Sequence, residues 1–328
     1  MHTVPSPAQI AHRLLPAARE PGREGTAFAS ANIALCKYWG KRDEALKLPL
    51  TGSLSISMGT LGTRMTVRPA AADCLQMQGE VFAADHKVAR RLFGFLDLLR
   101  PPGLCLEVES ENTIPMGAGL ASSASAFAAA VRAMEALFGW DLPPRSRSIL
   151  ARLGSGSACR SLERGFVEWL PGEAADGMDS YGVGLAPPWP ELRVGVLTLS
   201  EAEKPVGSTE GMRRTVETSR LFDAWPAQVA RDLPRIRAAV MAGDFHALGA
   251  AAEQNALSMH ATMIAAWPPI LYWRPETVAA LHRVHALRAA GLPVYATLDA
   301  GPNVKLLFPV SARADLLAAF PDLLIATP

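Results

Sequence analysis

A chain of 328 residues is long enough for one large domain or two of ordinary size, and 49% hydrophobic against 19% charged residues is a globular, slightly apolar composition. Thirty-two basic residues against 31 acidic ones leave a net charge near +1, which disfavours a protein that neutralises many phosphates along a nucleic acid but permits one local basic pocket. No apolar run reaches the roughly 18 residues needed to span a bilayer, and Cys36, Cys74, Cys105 and Cys159 lack any metal-ligand spacing, so they suggest buried thiols of a reducing compartment.

The first 26 residues lack the long apolar core of a secretory signal. Arg13, Arg19 and Arg23 beside Leu14 and Leu15 hint at an organellar presequence, but Glu20, Glu24 and several prolines oppose it. Residues 1–26 are therefore expected to be a loosely ordered cytoplasmic extension. Next comes Asn32-Ile-Ala-Leu-Cys-Lys37-Tyr38-Trp39-Gly40-Lys41-Arg42, with three cations in six residues and two aromatics among them. Such a concentration of donors suits a pyrophosphate, and it equally suits a strand end with solvated lysines and a core tryptophan.

Leu104, Leu106 and Val108 alternate with Cys105, Glu107 and Glu109, which predicts a half-buried strand. A glycine-rich loop, Pro115-Met-Gly117-Ala-Gly119-Leu120-Ala, follows and runs into a helix over about 121–137, stopped by Gly139. Glycines admit a phosphate close to the backbone, the helix start offers unpaired N–H groups, and Ser122 and Ser123 can serve phosphate oxygens or a bridging Mg²⁺. The alternative is an ordinary loop with a serine cap. The alanine-rich helix itself should pack closely on other backbones or a ligand.

A second helix is predicted near 145–153, then Gly154-Ser155-Gly156-Ser157-Ala-Cys-Arg160, where small residues expose the main chain and Arg160 could grip a carboxylate or serve structure alone. Phe166–Trp169 reads as a strand. Pro187, Pro188 and Pro190 around Trp189 mark the best domain boundary. Beyond it, a buried strand is predicted over 192–199, helices over about 225–242, 245–259 and 275–290, and strands over 294–298 and 304–308. Asp299, in the turn joining the last two, is placed either to act as a base or simply to form the turn. Strands mixed with helix pairs favour an α+β protein of two domains with a cleft between them.

Taken together these segments carry a resemblance that none carries singly. Pro115-x-x-x-Gly-Leu-Ala-Ser-Ser-Ala124 is similar to the ATP-phosphate loop of the GHMP kinases. Lys37-Tyr-Trp-Gly-Lys41-Arg-Asp, Gly154-Ser-Gly-Ser-Ala-Cys-Arg160-Ser161, Met178-Asp-Ser180, Gly207-Ser208-Thr209-x-Gly-Met212, Glu217-Thr-Ser219, His260-Ala-Thr262 and Asp299-Ala-Gly-Pro-Asn303 narrow this. In that order, and over roughly residues 27 to 310, they resemble the diphosphomevalonate decarboxylases. The resemblance implies a GHMP fold: a ribosomal-protein-S5-like, ATP-binding domain over 27–189 and a ferredoxin-like domain over 190–328. It implies a cytoplasmic homodimer of the mevalonate pathway that uses ATP and Mg²⁺ to convert mevalonate 5-diphosphate into isopentenyl diphosphate.

It also implies roles. Asp299 would orient or deprotonate the tertiary hydroxyl beside Lys37, and Arg160 would hold the substrate carboxylate. Tyr38, Lys41, Ser155, Gly156, Ser157, Ser208 and Thr209 would contact substrate, largely around the diphosphate. Pro115, Gly117, Gly119, Leu120, Ser122 and Ser123 would face ATP, with the two serines also toward the metal. Two departures stand out. The loop reads Pro-Met-Gly-Ala-Gly where Pro-Thr-Ala-Ala-Gly is commoner, and Gly52 stands where the family usually has a hydroxyl residue. Rival readings are a decarboxylase of mevalonate 5-phosphate, a GHMP kinase that stops at phosphorylation, and a non-catalytic ligand sensor.

Overall fold

The computed structural model describes residues 4–17, 20–114, 122–185, 189–202 and 204–328. Thirteen strands and nine α-helices are seen among them. In the first half these are β1 (Gly25–Cys36), β2 (Lys41–Asp43), β3 (Leu48–Pro49), β4 (Ser53–Ala70), β5 (Cys74–Met77), β6 (Glu80–Ala83), β7 (Cys105–Asn112), β8 (Phe166–Trp169) and β9 (Gly182–Leu185). The helices of that half are α1 (Pro7–Leu14), α2 (Lys87–Leu96), α3 (Ser122–Phe138) and α4 (Pro144–Gly154). The second half holds β10 (Leu192–Leu197), α5 (Ser208–Thr218), α6 (Trp225–Ala242), α7 (Phe245–Ile264) and α8 (Pro275–Ala289). It ends with β11 (Tyr295–Leu298), β12 (Val304–Pro309), α9 (Arg313–Ala319) and β13 (Leu324–Ala326).

The 18-residue β4 organises the first sheet. One edge pairs with β1, and the other is shared by β7 along its second half and β8 along its first. Beyond these the sheet runs β6-β5-β7 on one side and β8-β9 on the other, antiparallel except for β5 beside β7. Helices α1 to α4 cover its far portion over a core that includes Met65, Val67, Leu106, Val108, Phe127 and Met134. The alanine-rich α3 lies almost in backbone contact with β1. A Cβ at Gly25 would fall 2.1 Å from the Ala133 carbonyl oxygen, so only glycine admits this approach.

The second sheet, in the order β11-β12-β10-β13, is wholly antiparallel. Read as consecutive strands its order is 2-3-1-4 with helices in the first and last connections, which is the ferredoxin-like arrangement. Helices α8 and α9 pack on it through Leu281, Val284 and Leu316. Helix α7 touches both β1 and β11, and its Gly249 faces the Tyr295 ring so closely that a Cβ would lie 2.1 Å from it. A further core joins Ile33 and Leu35 of β1, Leu54 and Ile56 of β4, and residues of α6, α7 and β10. The two sheets are thus held around the α6–α7 pair.

The extension expected to be loosely ordered is corrected here. Ser6 and Gln9 form a reciprocal capping box at the start of α1, and Ile10 and Ala11 are completely buried in the first core. Burying that apolar pair, about 1.5–3 kcal/mol for the isoleucine alone, with Leu14 and Leu15 packed partly buried beside it, docks a two-turn helix whose charged residues face water. Its last two residues are not extension either, since β1 begins at Gly25. The cysteines are also not uniformly buried: all four are free thiols, with Cys74 and Cys105 only half-buried in the sheet.

Candidate active site

The site follows from strand periodicity. In β1, Ala31, Ile33 and Leu35 enter the core, so Asn32 and Ala34 face the other way, onto a cleft. In β4, Leu54 and Ile56 do the same, and Ser53 and Ser55 turn away from that core. Arg160, at the end of the short 3₁₀ helix after α4, reaches Ser53 Oγ at 2.6 Å and Asn32 Oδ1 at 3.3 Å. Its guanidinium stands 5.7 Å over the Trp169 ring, and its buried Nε has no partner among the described residues.

Lys37 is the first residue beyond β1. Its N–H donates to Asn255 Oδ1 at 2.7 Å, and Asn255 in turn donates to Asp232 Oδ2 at 2.8 Å, which anchors the strand end to α7 and α6. The Lys37 ammonium, almost fully buried, donates to the Ala34 carbonyl at 2.7 Å and to Asp299 Oδ1 at 2.9 Å. Asp299 lies in the β11–β12 hairpin. Its backbone carbonyl can only accept, so His260 donates to it from Nε2 at 3.0 Å. Burial pushes His260 down to about 3, and the ring is therefore neutral at physiological pH.

Burial alone would raise the Asp299 carboxyl. The Lys37 ammonium, Lys305 and the hydrogen bond from Lys37 outweigh it and hold the carboxylate well below its usual range. The same burial lowers Lys37 against the attraction of Asp299. Burial also pushes the Tyr38 phenol far above its ordinary value, which keeps it a donor. Its hydroxyl is buried and unpartnered among the described residues, with the ring edge-on to Trp169 at 4.8 Å.

These groups line one cleft of about 850 Å³. Lys37, Tyr38, Lys41, Ser155, Gly156, Ser157, Arg160, Ser208, Thr209 and Asp299 all border it, drawn from both halves of the chain. Ser123 also borders it, and Ser122 is the exposed first residue of α3 beside it. Pro115, Gly117, Gly119 and Leu120 lie outside the described residues, as do Pro187 and Pro188 of the boundary segment. Lys41 enters paired, its ammonium 2.5 Å from Glu44 Oε2, so an anion there must replace Glu44.

Sequence reasoning missed several cations at the cleft. Lys47, Lys87, Arg91 and Arg213 join Lys37, Lys41 and Arg160 in lining it, against Glu44, Glu210 and Asp299, a surplus of four positive charges among the described residues. No sequence signal gathers them, because they come from separate elements. Lys305 is different. It sits completely buried inside the apolar β12, 3.6 Å from Asp299 Oδ2, and a lysine within Val-Lys-Leu-Leu-Phe was a usable signal. Other motif residues support the walls. Ser180 Oγ accepts from Trp169 Nε1 at 3.1 Å beneath Tyr38 and Arg160, and Thr218 caps the Trp267 N–H at 2.8 Å. At Gly52 a Cβ would lie 2.8 Å from Leu233 Cδ2, so a larger residue there would require the tip of that leucine to turn aside.

The surplus charge, the unpartnered Tyr38 hydroxyl and Arg160 Nε, and the N-termini of α3 and α5 at the rim fit a polyanionic substrate and a nucleotide. Fold and cleft together define an α+β enzyme of the GHMP kinase class, built on two large sheets and the small β2–β3 pair. Residues 29–182 match the family model of the diphosphomevalonate decarboxylase-like N-terminal domain, and residues 194–327 match the mevalonate 5-diphosphate decarboxylase C-terminal domain. The diphosphomevalonate decarboxylase of Aspergillus fumigatus is 40% identical over 309 residues, covering 86% of this chain and 76% of that protein. The crystal structure of mevalonate diphosphate decarboxylase from Staphylococcus aureus superposes with a TM-score of 0.87 at 36% identity, covering 93% and 95% of the two chains. A further similar structure, MDDEF in complex with MVAPP, AMPPCP and magnesium, has a TM-score of 0.85 at 37% identity over 93% and 96%. The chain belongs to the diphosphomevalonate decarboxylase family.

Proposed function

We propose that the cleft carries out the ATP-dependent decarboxylation of mevalonate 5-diphosphate to isopentenyl diphosphate, ADP, phosphate and CO₂. The observation that carries this reading is the Lys37–Asp299 contact at 2.9 Å, formed between the two halves of the chain at the floor of a cation-rich cleft. Hydroxide is a poor leaving group, so the tertiary oxygen must be phosphorylated before the carboxylate can release CO₂ to form the double bond. Three anions then share one site, and the lining cations offset their mutual repulsion.

In this reading Asp299 accepts the hydrogen bond of the tertiary hydroxyl and aims its oxygen at the phosphoryl donor. Arg160 forks the substrate carboxylate, with Ser53 and Asn32 fixing the plane of the guanidinium. Tyr38, Lys41, Ser155, Ser157, Ser208 and Thr209 hold the diphosphate, with the main chain at Gly156 open to it. Ser122 and Ser123 would hold the metal and nucleotide phosphates, together with Pro115, Gly117, Gly119 and Leu120. Magnesium, when bound, would neutralise charge on those phosphates. The domain division at 189/190, with each sheet formed within its own half, and a cytoplasmic homodimer complete the proposal; the resemblance is what supports the latter.

The diphosphate contacts separate this reading from a monophosphate decarboxylase. Parallel kinetics with mevalonate 5-diphosphate and mevalonate 5-phosphate, products identified by mass, should show kcat/KM favouring the diphosphate by about a hundredfold or more, as expected when several charged hydrogen bonds go unmade. Equal efficiency with the two would transfer the proposal to the monophosphate.

A further inference from the structure

We propose that Lys305 is a positioning residue for the reaction, a second ammonium that fixes Asp299 from its own sheet and keeps it an anionic hydrogen-bond acceptor. This rests on the reading of the cleft given above.

Lys305 is the second residue of β12, in a run where Val304, Leu306, Leu307 and Phe308 are all buried apolar residues. A lysine there gives up the hydration of its charge, which is tolerated only against a partner. Across the sheet it lies opposite Thr297 of β11 and Val196 of β10, so it shares a sheet face with Thr297, two residues before Asp299. Its ammonium donates to the Asn303 carbonyl at 3.3 Å and stands 3.6 Å from Asp299 Oδ2, while Lys37 holds Oδ1 at 2.9 Å.

Each carboxylate oxygen therefore has its own cation, and the two cations differ in origin. Lys37 comes from the first half of the chain and Lys305 from the sheet that bears Asp299. Any shift of the two halves loosens the first contact and leaves the second. The carboxylate keeps a direction, with about 29% of its side chain open toward the cleft for the substrate hydroxyl.

The charged and titratable groups around Asp299 are Lys37 beyond β1, Lys305 on β12, Lys204 before α5, Arg160 after α4, and His260 on α7, neutral and bound to the backbone carbonyl. Lys204 stands over Gly301, two residues from Asp299. With these four cations around it, the Lys37 and Lys305 ammonium groups at its two oxygens among them, proton binding by Asp299 is strongly opposed. A group so held orients a hydroxyl better than it removes a proton.

The test is a cycle of K305M, D299N and the double variant, with kcat followed from pH 4.5 to 8 at saturating substrates. K305M should lose at least about tenfold in kcat and acquire an acid limb absent from the wild type, because Asp299 then binds a proton more readily. In the D299N background the same substitution should cost little, since the group it positions is gone. D299N alone leaves Lys305 buried facing Lys37, and adding K305M should raise the melting temperature of D299N. Wild-type kcat and pH profile in K305M, or an equal loss in both backgrounds, would overturn the inference. If K305M does not fold, a folded double variant upholds the coupling and an equally unfolded one refutes it. A wild type that releases no CO₂ would defeat the proposed reaction instead, and the melting cycle would still decide whether Lys305 and Asp299 are coupled.

Discussion

Replacing Asp299 by Asn should lower kcat by at least about a hundredfold while nucleotide still binds. The amide keeps the size of the carboxylate and loses its charge. An ammonium that donates to Oδ1 at 2.9 Å can still find the amide oxygen, but the amide NH₂ then points at the other lysine, donor against donor. The tertiary hydroxyl would lose the acceptor that aims its oxygen, and misaimed reactants forfeit much of the advantage of being held together. The nucleotide phosphates are assigned to the α3 end of the cleft and should be little affected. A coupled ATPase assay and a nucleotide titration check the two halves of the expectation; near-normal turnover would remove Asp299 from the mechanism.

Arg160→Lys should cost about a hundredfold or more in kcat/KM, roughly 2.7 kcal/mol of transition-state stabilisation. Charge is kept, so any loss measures geometry. The guanidinium uses Nη1 on Ser53 and Nη2 on Asn32, lies over Trp169 and has Nε left over. A single ammonium cannot make those contacts and also fork a carboxylate. The Trp169 indole beneath is fixed by Ser180, so the surroundings will not readily rearrange to compensate. Steady-state kinetics on the lysine variant, with a melting curve to show that it is folded, measure the effect. Unchanged product formation would count against a carboxylate contact.

Much of the architecture was legible because burial on one face leaves a period. The half-buried β7 alternates in twos, the alanine run of α3 announces close packing, and Gly139 and Gly291, both at positive φ, end α3 and α8 where the periodic residues stop. Strand β4 was passed over because Ser53, Ser55 and Ser57 are as buried as the leucine and isoleucine between them, so its polar positions do not mark a wet face. Helix α1 escaped because its anchors, Ile10 and Ala11 with Leu14 partly buried, are few and lie amid charged and proline-rich neighbours.

The cleft was legible where its residues cluster in the chain, as at 37–41 and 155–160. It was illegible where folding alone gathers them. Lys47 on the loop before β3, Lys87 and Arg91 on α2, and Arg213 on α5 look like solvated surface charges until they meet around one cavity. Lys305 could have been suspected from its apolar strand, but its partner could be named only once the β11–β12 register was known.

The most direct test of the account is stoichiometry. With ATP, Mg²⁺ and mevalonate 5-diphosphate labelled in its carboxyl carbon, each ADP formed should be matched by one phosphate, one labelled CO₂ and one isopentenyl diphosphate. Sustained ADP formation with the label retained in a phosphorylated, still carboxylated product would contradict it and leave a kinase in its place.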